Sequence, residues 1–192
     1  MMFEAQTEWI APDNFPNLSG YKFISIDLET RDPDLKSKGS GSVIGNGEII
    51  GVAVAVDGWC KYYPFGHEGG GNLDKKKILN WLKDICATDS TKIFHNAMYD
   101  VCWLRSYGIK VNGHIMDTMV MASLVDENRM RYTLNALSWE YLGERKSEAT
   151  LFEIAKNWGI DPKAELYKLP AIYVGEYAEK DASLTLDLFK RL

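Results

Sequence analysis

The spacing of hydrophobic and polar positions changes several times along the chain, and each change predicts an element of secondary structure. Residues 21–30, 48–56, 59–65, 91–94 and 115–117 have the short alternating or wholly apolar pattern of β-strands. Residues 75–87, 97–107, 118–125, 132–142, 148–158 and 171–192 repeat apolar positions at steps of three and four, which is typical of helices. Asp57-Gly58 predicts a tight turn between the second and third strands.

The order of these elements predicts an α/β fold. Three antiparallel strands come first, and a helix then leads to the fourth strand, which implies a parallel strand in the same sheet. The layout resembles a ribonuclease-H-like domain, with a mixed five-stranded sheet of three antiparallel and then two parallel strands, and helices on both faces. We expect the first strand at the centre, residues 1–20 as an extended lead-in and residues 21–192 as a single domain.

The first strand carries two acids at its end. Because side chains alternate along a strand, Asp27 and Glu29 point to the same face of an otherwise apolar segment. Two carboxylates about 4 Å apart repel each other by roughly 4 kcal/mol at an effective dielectric constant near 20. A bound cation would offset this cost; alternatively, the two acids lie at a frayed strand end that faces water.

The last helix carries an acid in the middle of its apolar stripe. Val174, Tyr177, Asp181, Leu184 and Leu188 recur at steps of three and four, so Asp181 is expected on the face that meets the core. A carboxylate buried alone costs several kcal/mol, and it therefore requires a partner. That partner is either a metal ion or an arginine or backbone donor.

A third acidic position follows the fourth strand, where Asn96 can cap a helix and Asp100 falls on its first turn. In the predicted sheet the acids of the first strand, this helix and the last helix meet at one edge. Four carboxylates, namely Asp27, Glu29, Asp100 and Asp181, would form a two-metal site for hard ions such as Mg²⁺ or Mn²⁺. The histidines, His67, His95 and His114, are scattered, and we interpret each as structural.

Composition narrows the class of protein further. The chain has 192 residues, of which 46% are hydrophobic and 26% charged, and its formal net charge is −5. These values are typical of a soluble globular domain and argue against a generally basic nucleic-acid coat. The sequence shows no membrane-helix or signal pattern, and we expect a monomer in the cytoplasm. We interpret Cys60, Cys86 and Cys102 as buried free thiols.

A glycine-rich polar loop, residues 31–47, follows the acidic strand end. Its Arg31, Lys36 and Lys38 stand just beyond the two carboxylates. Such a loop could hold phosphates, or it could be a solvated connection.

Three segments together resemble a known family. Asp27-Leu28-Glu29-Thr30, residues 95–100 (HNAMYD) and residues 177–181 (YAEKD) are similar to the three exonuclease motifs of the DEDD superfamily, Tyr subclass. The nearest match is the 3′–5′ proofreading exonuclease domain of family-A DNA polymerases, of phage or bacterial type. The resemblance runs from about residue 16 to the C-terminus, and the three motifs in this order are specific together.

The resemblance implies a role for each matching residue. Asp27, Glu29 and Asp181 would hold one Mg²⁺ or Mn²⁺ ion, and Asp27 with Asp100 would hold a second. Tyr177 would orient the attacking water, because an unperturbed pKa near 10 makes a phenol a poor base. Candidate substrate contacts are Leu28, Thr30, Asn96, Leu151 and Phe152, although a core position on the helix 148–158 also explains the last two.

The implied activity is hydrolysis of the terminal phosphodiester at single-stranded DNA 3′ ends, with release of nucleoside 5′-monophosphates during proofreading. A free-standing RNA-processing exonuclease similar to ribonuclease D is one alternative. A non-catalytic nucleic-acid-binding domain of the same fold is another, and the retained acids argue against it. No polymerase domain lies within this chain, and the sequence leaves open whether the native protein carries one.

Overall fold

The computed structural model describes residues 7–145 and 148–192, and it contains one mixed sheet with helices on both faces. The strands are β1 Phe23–Arg31, β2 Glu48–Val56, β3 Trp59–Pro64, β4 Thr91–Phe94 and β5 Ile115–Asp117. The helices are α1 Leu35–Lys38, α2 Gly41–Ile44, α3 Lys75–Ala87, α4 Ala97–Ser106, α5 Thr118–Val125, α6 Leu134–Leu142, α7 Glu148–Trp158 and α8 Gly175–Arg191. Two 3₁₀ turns, Leu166–Lys168 and Ala171–Tyr173, precede α8.

The sheet has the order β3-β2-β1-β4-β5, so β1 lies at its centre as predicted. β1 pairs with β2 and β2 with β3 in antiparallel fashion, whereas β4 is parallel to both β1 and β5. The predicted α/β ribonuclease-H-like architecture is therefore confirmed. The pairing of β1 with β2 shifts register between Glu29 and Thr30, where Ile50 is the extra residue of β2.

Alternation along the strands divides the core into two layers. Ile24, Ile26 and Leu28 of β1 pack in one layer with side chains of α3 and α4. Phe23 packs in the opposite layer with side chains of α7 and α8. Because Asp27 and Glu29 share the parity of Phe23, the backbone directs them toward the layer that contains α8.

Helix α8 begins later than predicted, at Gly175 rather than at residue 171. Pro170 starts a 3₁₀ turn instead, in which Tyr173 N and Val174 N donate to the carbonyls of Pro170 and Ala171. The first bond of the α-helical type in this region runs from Ala178 N to Val174 O, at 2.9 Å. The spacing of apolar residues cannot separate a single 3₁₀ turn from the start of an α-helix.

The apolar stripe predicted on α8 divides between two partners. Val174, the residue before α8, packs toward the sheet together with Ala178, Ala182 and Leu186 of the helix. Leu184 and Leu188 pack on the other side, against α5 and α6. The helix is thus buried along two faces, and this explains how it can hold Asp181 at 4% exposure.

The loops show smaller differences from the expectations. The polar segment 31–47 contains the short helices α1 and α2, and the helix predicted at 132 begins at Leu134, because Thr133 Oγ1 caps it by accepting from Ala136 N at 3.3 Å. Residues 1–6 of the expected lead-in lie outside the described residues. Its described part, residues 7–18, has no regular secondary structure. Nowhere in the described chain is a helix both long and apolar enough to cross a membrane.

Candidate active site

The acidic end of β1 lies beside its register shift. Asp27 is paired with Ala53 and Glu29 with Gly51, and both acids are half-buried. Gly51 leaves room for the ring of Tyr62, since a Cβ at this position would come 2.1 Å from the Tyr62 hydroxyl oxygen. Burial raises the pKa of Tyr62 well above 10, and the charges of Glu29 and Asp27 raise it further. Tyr62 therefore lies within the field of the acidic pair.

Asp100 reaches this place from the first turn of α4. It is 5% exposed, and its Oδ1 accepts a hydrogen bond of 3.1 Å from the backbone N–H of Leu28, between the two acids of β1. Burial raises the pKa of Asp100 well above its usual value, and the Asp27 carboxylate is the next largest cause. Asp27 and Asp100 therefore oppose each other's ionisation.

Helix α8 contributes the remaining two residues. Burial raises the pKa of Tyr177 well above 10, and the carboxylates of Asp181, Glu29 and Asp27 raise it further, in that order. The first-turn acid of α7, Glu148, adds a smaller effect that the sequence did not indicate. All five predicted catalytic residues are thus linked, through mutual charge effects, at one end of β1.

The chemistry of this donor set fits a hard divalent ion. Its members are carboxylates, and carboxylate oxygens are the usual ligands of Mg²⁺ and Mn²⁺. Within residues 7–145 and 148–192 no three side chains of His, Cys, Asp or Glu are grouped closely enough to hold a metal. The fit therefore rests on donor type and on the mutual repulsion that an ion would relieve, and not on a preformed cage.

A chain of hydroxyl groups borders the acids. Thr30 Oγ1 donates to Tyr99 OH at 2.7 Å, and Tyr99 OH donates to Asp32 Oδ2 at 2.9 Å. The other oxygen of Asp32 accepts from Gly41 N at 2.9 Å, which fixes the loop after β1. Of these residues only Thr30 was a sequence candidate; the position of Tyr99 within the motif at 95–100 could have indicated it.

A cleft of about 460 Å³ opens beside this hydroxyl chain. Its lining includes Thr30 and Tyr99, the basic residues Lys36 and Lys163, and the acidic residues Asp32 and Asp161. Lys36 belongs to the basic loop noted in the sequence, whereas Lys163 lies after α7 and was not a candidate. The volume of the cleft lies within the range of small-molecule sites.

Asn96 precedes α4 in an unusual backbone conformation. Its φ is 68°, the one positive value at a non-glycine residue among those the structure describes. The Asn96 side chain does not cap α4, contrary to expectation. The carboxylate of Asp117 takes that role, accepting from Asn96 N at 3.0 Å and from Ala97 N at 2.8 Å. Asn96 is thereby left exposed at the rim of the site.

The other three substrate candidates differ in exposure. Leu28 and Leu151 are buried in the two core layers, so their side chains face away from solvent. Leu28 reaches the site through its backbone, as the donor to Asp100. Phe152, the next residue on α7, is 36% exposed and can contact a ligand.

His67 has the structural role expected of it. Its Nδ1 donates to Leu169 O at 3.0 Å, so the neutral ring accepts from Tyr62 OH through Nε2 at 2.6 Å. Burial lowers the pKa of His67 to about 4. His95 shares a hydrogen bond of 2.8 Å with Thr118. The three cysteines are free thiols, but only Cys86 is buried; Cys60, on the edge strand β3, and Cys102 are partly exposed.

Comparison with known proteins places this geometry in context. A sequence profile of the family described as 3′–5′ exonuclease, of the DNA polymerase A type, matches residues 5–192. A DNA-directed DNA polymerase of Pseudomonas phage M6 is 36% identical over 96% of this chain and 29% of its own length. The DNA polymerase DpoZ of Salmonella phage PMBT28 is 30% identical over 92% of this chain and 27% of its own.

Solved structures agree on the fold. RNase D of Trypanosoma brucei superposes with a TM-score of 0.65 at 18% identity, covering 90% of this chain and 58% of that one. At that identity the likeness concerns the fold alone. The chain spans less than a third of the length of the two phage polymerases it matches.

Proposed function

We propose that this chain, which belongs to the 3′–5′ exonuclease family of the DNA polymerase A type, removes nucleotides from the 3′ ends of single-stranded DNA as nucleoside 5′-monophosphates. The observation that carries the proposal is the effect of nearby acids on Asp100 and Tyr177: the Asp27 carboxylate of β1 raises the pKa of Asp100, and the carboxylates of Asp181, Glu29 and Asp27 raise that of Tyr177, in both cases in addition to burial. A fold gains no stability from opposed carboxylates, so their retention supports a role in binding cations.

The acids divide between two proposed metal positions. Asp27, Glu29 and Asp181 would hold one divalent ion, and Asp27 with Asp100 would hold the other; Mg²⁺ and Mn²⁺ both suit these oxygens. When bound, such ions lower the pKa of a coordinated water and stabilise charge on the leaving oxygen of a phosphodiester. Leu28 contributes by holding the Asp100 carboxylate through its backbone N–H.

Tyr177 would place the attacking water. The raised pKa of its phenol keeps the hydroxyl protonated at neutral pH, so the group can donate or accept a hydrogen bond but cannot serve as a base. The ring is partly buried in the core layer that contains α8. We therefore assign Tyr177 to orientation and leave removal of the proton to other groups.

The terminal nucleotides would lie between the hydroxyl chain and α7. Thr30 and Tyr99 offer hydroxyls, Asn96 offers an exposed amide at the rim, and Phe152 offers a ring on which a base can stack. Lys36 and Lys163 would face phosphates in the cleft. A direct side-chain contact from Leu28 or Leu151 stays a prediction, and their burial favours core packing.

DNA is the proposed substrate because the two phage relatives are DNA polymerases by name. The likeness in fold to an RNase D supports RNA as the second candidate. The same relatives suggest that the parent protein carries a family-A polymerase domain and that the exonuclease proofreads its product. The expected cytoplasmic location and monomeric state remain predictions.

The test is digestion of a 5′-labelled single-stranded DNA and an RNA of the same sequence, in Mg²⁺, Mn²⁺ or chelator. We expect metal-dependent, stepwise shortening of the DNA from its 3′ end, and slower shortening of the RNA. A faster reaction on RNA would favour the ribonuclease reading. Binding without cleavage in either metal would favour the non-catalytic domain.

A further inference from the structure

The described part of the lead-in, residues 7–18, packs on and hydrogen-bonds to α8, the helix that carries Tyr177 and Asp181. Trp9 of the lead-in lies across the start of α8, where a Cβ on Gly175 would come 2.1 Å from Trp9 Cε2. Its indole Nε1 donates a hydrogen bond of 2.8 Å to Glu179 Oε1. Residue 175 can therefore carry no side chain while Trp9 stays in this place.

Glu179 joins three parts of the fold. The oxygen that accepts from Trp9 also accepts from Tyr62 N on β3, at 3.0 Å. Because β3 is an edge strand, this carboxylate satisfies a backbone donor that no further strand covers. The backbone carbonyl of Glu179 accepts a further bond from Cys60 Sγ, at 3.1 Å.

Glu179 also faces away from the proposed catalytic groups of its own helix. It is two residues from Tyr177 and two from Asp181, and an α-helix turns about 100° per residue, so it projects about 160° from each. Its bonds hold one side of α8 at the β3 edge, and Tyr177 and Asp181 project from the other side of the helix. Rotation of α8 about its axis would break the hydrogen bonds of Glu179 and displace Tyr177 and Asp181.

We propose that Trp9 and Glu179 are positioning residues that fix the rotation of α8, and through it the placement of Tyr177 and Asp181 against Asp27 and Glu29. The inference rests on the proposed function for the roles of those four residues. The lead-in then contributes to the site by positioning α8.

The variants separate the hydrogen bonds from the bulk of the side chains. Glu179→Leu removes both acceptor bonds, whereas Glu179→Gln keeps an oxygen that can accept them. Trp9→Phe keeps a ring over Gly175 but loses the N–H, and Gly175→Ala expels the indole altogether. Each full-length variant is measured for kcat, for KM on single-stranded DNA and for Mn²⁺ affinity by calorimetry.

Trp81→Phe is the matched control. Trp81 also uses its indole N–H to hold the lead-in, donating to Pro16 O at 2.8 Å, but it lies on α3 in the opposite core layer. Its substitution removes a bond of the same kind without a connection to α8. It should lower thermal stability while leaving kcat and Mn²⁺ affinity unchanged.

We expect Glu179→Leu and Gly175→Ala to lower kcat by about tenfold or more and to weaken Mn²⁺ affinity severalfold, with KM nearly unchanged. Glu179→Gln should recover most of the wild-type kcat and Mn²⁺ affinity. Trp9→Phe should give values between those of Glu179→Gln and Glu179→Leu. If Glu179→Leu loses stability but matches Trp81→Phe in kcat and Mn²⁺ affinity, the positioning role is wrong. A wild-type chain that does not cleave, but whose Mn²⁺ affinity still falls in Glu179→Leu, would overturn the proposed function and support the positioning role.

Discussion

Two buried charged groups near opposite ends of β4 have opposite surroundings. Lys92, near the start of β4, is fully buried, and its ammonium donates to Thr88 O, to Thr88 Oγ1 at 3.0 Å and to Asn112 O at 3.1 Å. Asp100, just beyond the other end, accepts a bond from Leu28 N but lies beside the Asp27 carboxylate. The ammonium of Lys92 is stabilised by the dipoles of the oxygens that it contacts. The carboxylate of Asp100 is instead destabilised by a neighbouring carboxylate.

This difference separates a structural group from a group with a proposed function. The bonds of Lys92 close the end of α3 and tie it to the chain before β5, which stabilises the fold. The acids around Asp100 lower the stability of the metal-free chain, because each disfavours the ionised form of another. A buried charge that its own fold opposes therefore indicates a ligand of opposite charge.

The largest effect should follow from removing an acid at the centre of the group. Asp27→Ala should reduce cleavage by about 1000-fold, because a proposed ligand of both ions is lost. The unfolding free energy of the metal-free variant should equal or exceed that of the wild type, since a repulsion is removed. Chemical denaturation with chelator and a labelled-DNA assay measure the two effects, and cleavage near the wild-type rate would exclude the metal site.

Acid pH should lower the unfolding free energy through His67, which is neutral and buried next to Tyr62. Its folded pKa of about 4 is depressed from 6.5, so the unfolded chain takes up the proton first as pH falls. The stability it contributes is complete above about pH 6.5 and is lost on acidification, by up to about 3 kcal/mol near pH 4. Denaturation of wild type and His67→Gln over this range tests it; equal slopes would contradict the assignment.

Removing the satisfied charge should affect folding and not catalysis. Lys92→Met fills a similar volume but leaves the carbonyls of Thr88 and Asn112 without their donor. We expect a loss of about 2 kcal/mol in unfolding free energy, with kcat unchanged for the folded fraction. A fall in kcat at temperatures well below unfolding would remove the contrast between the two ends of β4.

The smallest effect concerns Tyr177. Tyr177→Phe keeps the partly buried ring but removes the hydroxyl proposed to orient water, so kcat should fall by about tenfold. Mn²⁺ affinity should stay close to that of the wild type, because the phenol is not a proposed ligand. Calorimetry that showed weakened Mn²⁺ binding would assign the hydroxyl to the metal site instead.

The sequence was sufficient to predict the sheet. Alternation in β1 assigned Ile24 and Asp27 to opposite faces, and the apolar runs fixed the strand bounds within two residues, because both depend on local periodicity. The predicted start of α8, at residue 171, was wrong, because the segment after Pro170 continues the same apolar spacing through a 3₁₀ turn.

Contacts between distant segments could not be predicted. Trp9 reads as part of an irregular lead-in, and its role depends on Gly175 and Glu179 lying opposite it in space. Asp117 likewise reads as the end of a short strand, yet its carboxylate holds two amides of the segment after β4. Such bonds follow from the completed fold and leave no periodic signal.

The left-handed backbone of Asn96 has an evolutionary consequence. A non-glycine residue in that conformation costs about 1–2 kcal/mol, and here the Asp117 carboxylate holds the amides on either side of it. Positions 96 and 117 should therefore covary among homologues: where the aspartate is replaced, glycine should become frequent at 96, and its amide group would be lost from the rim of the site.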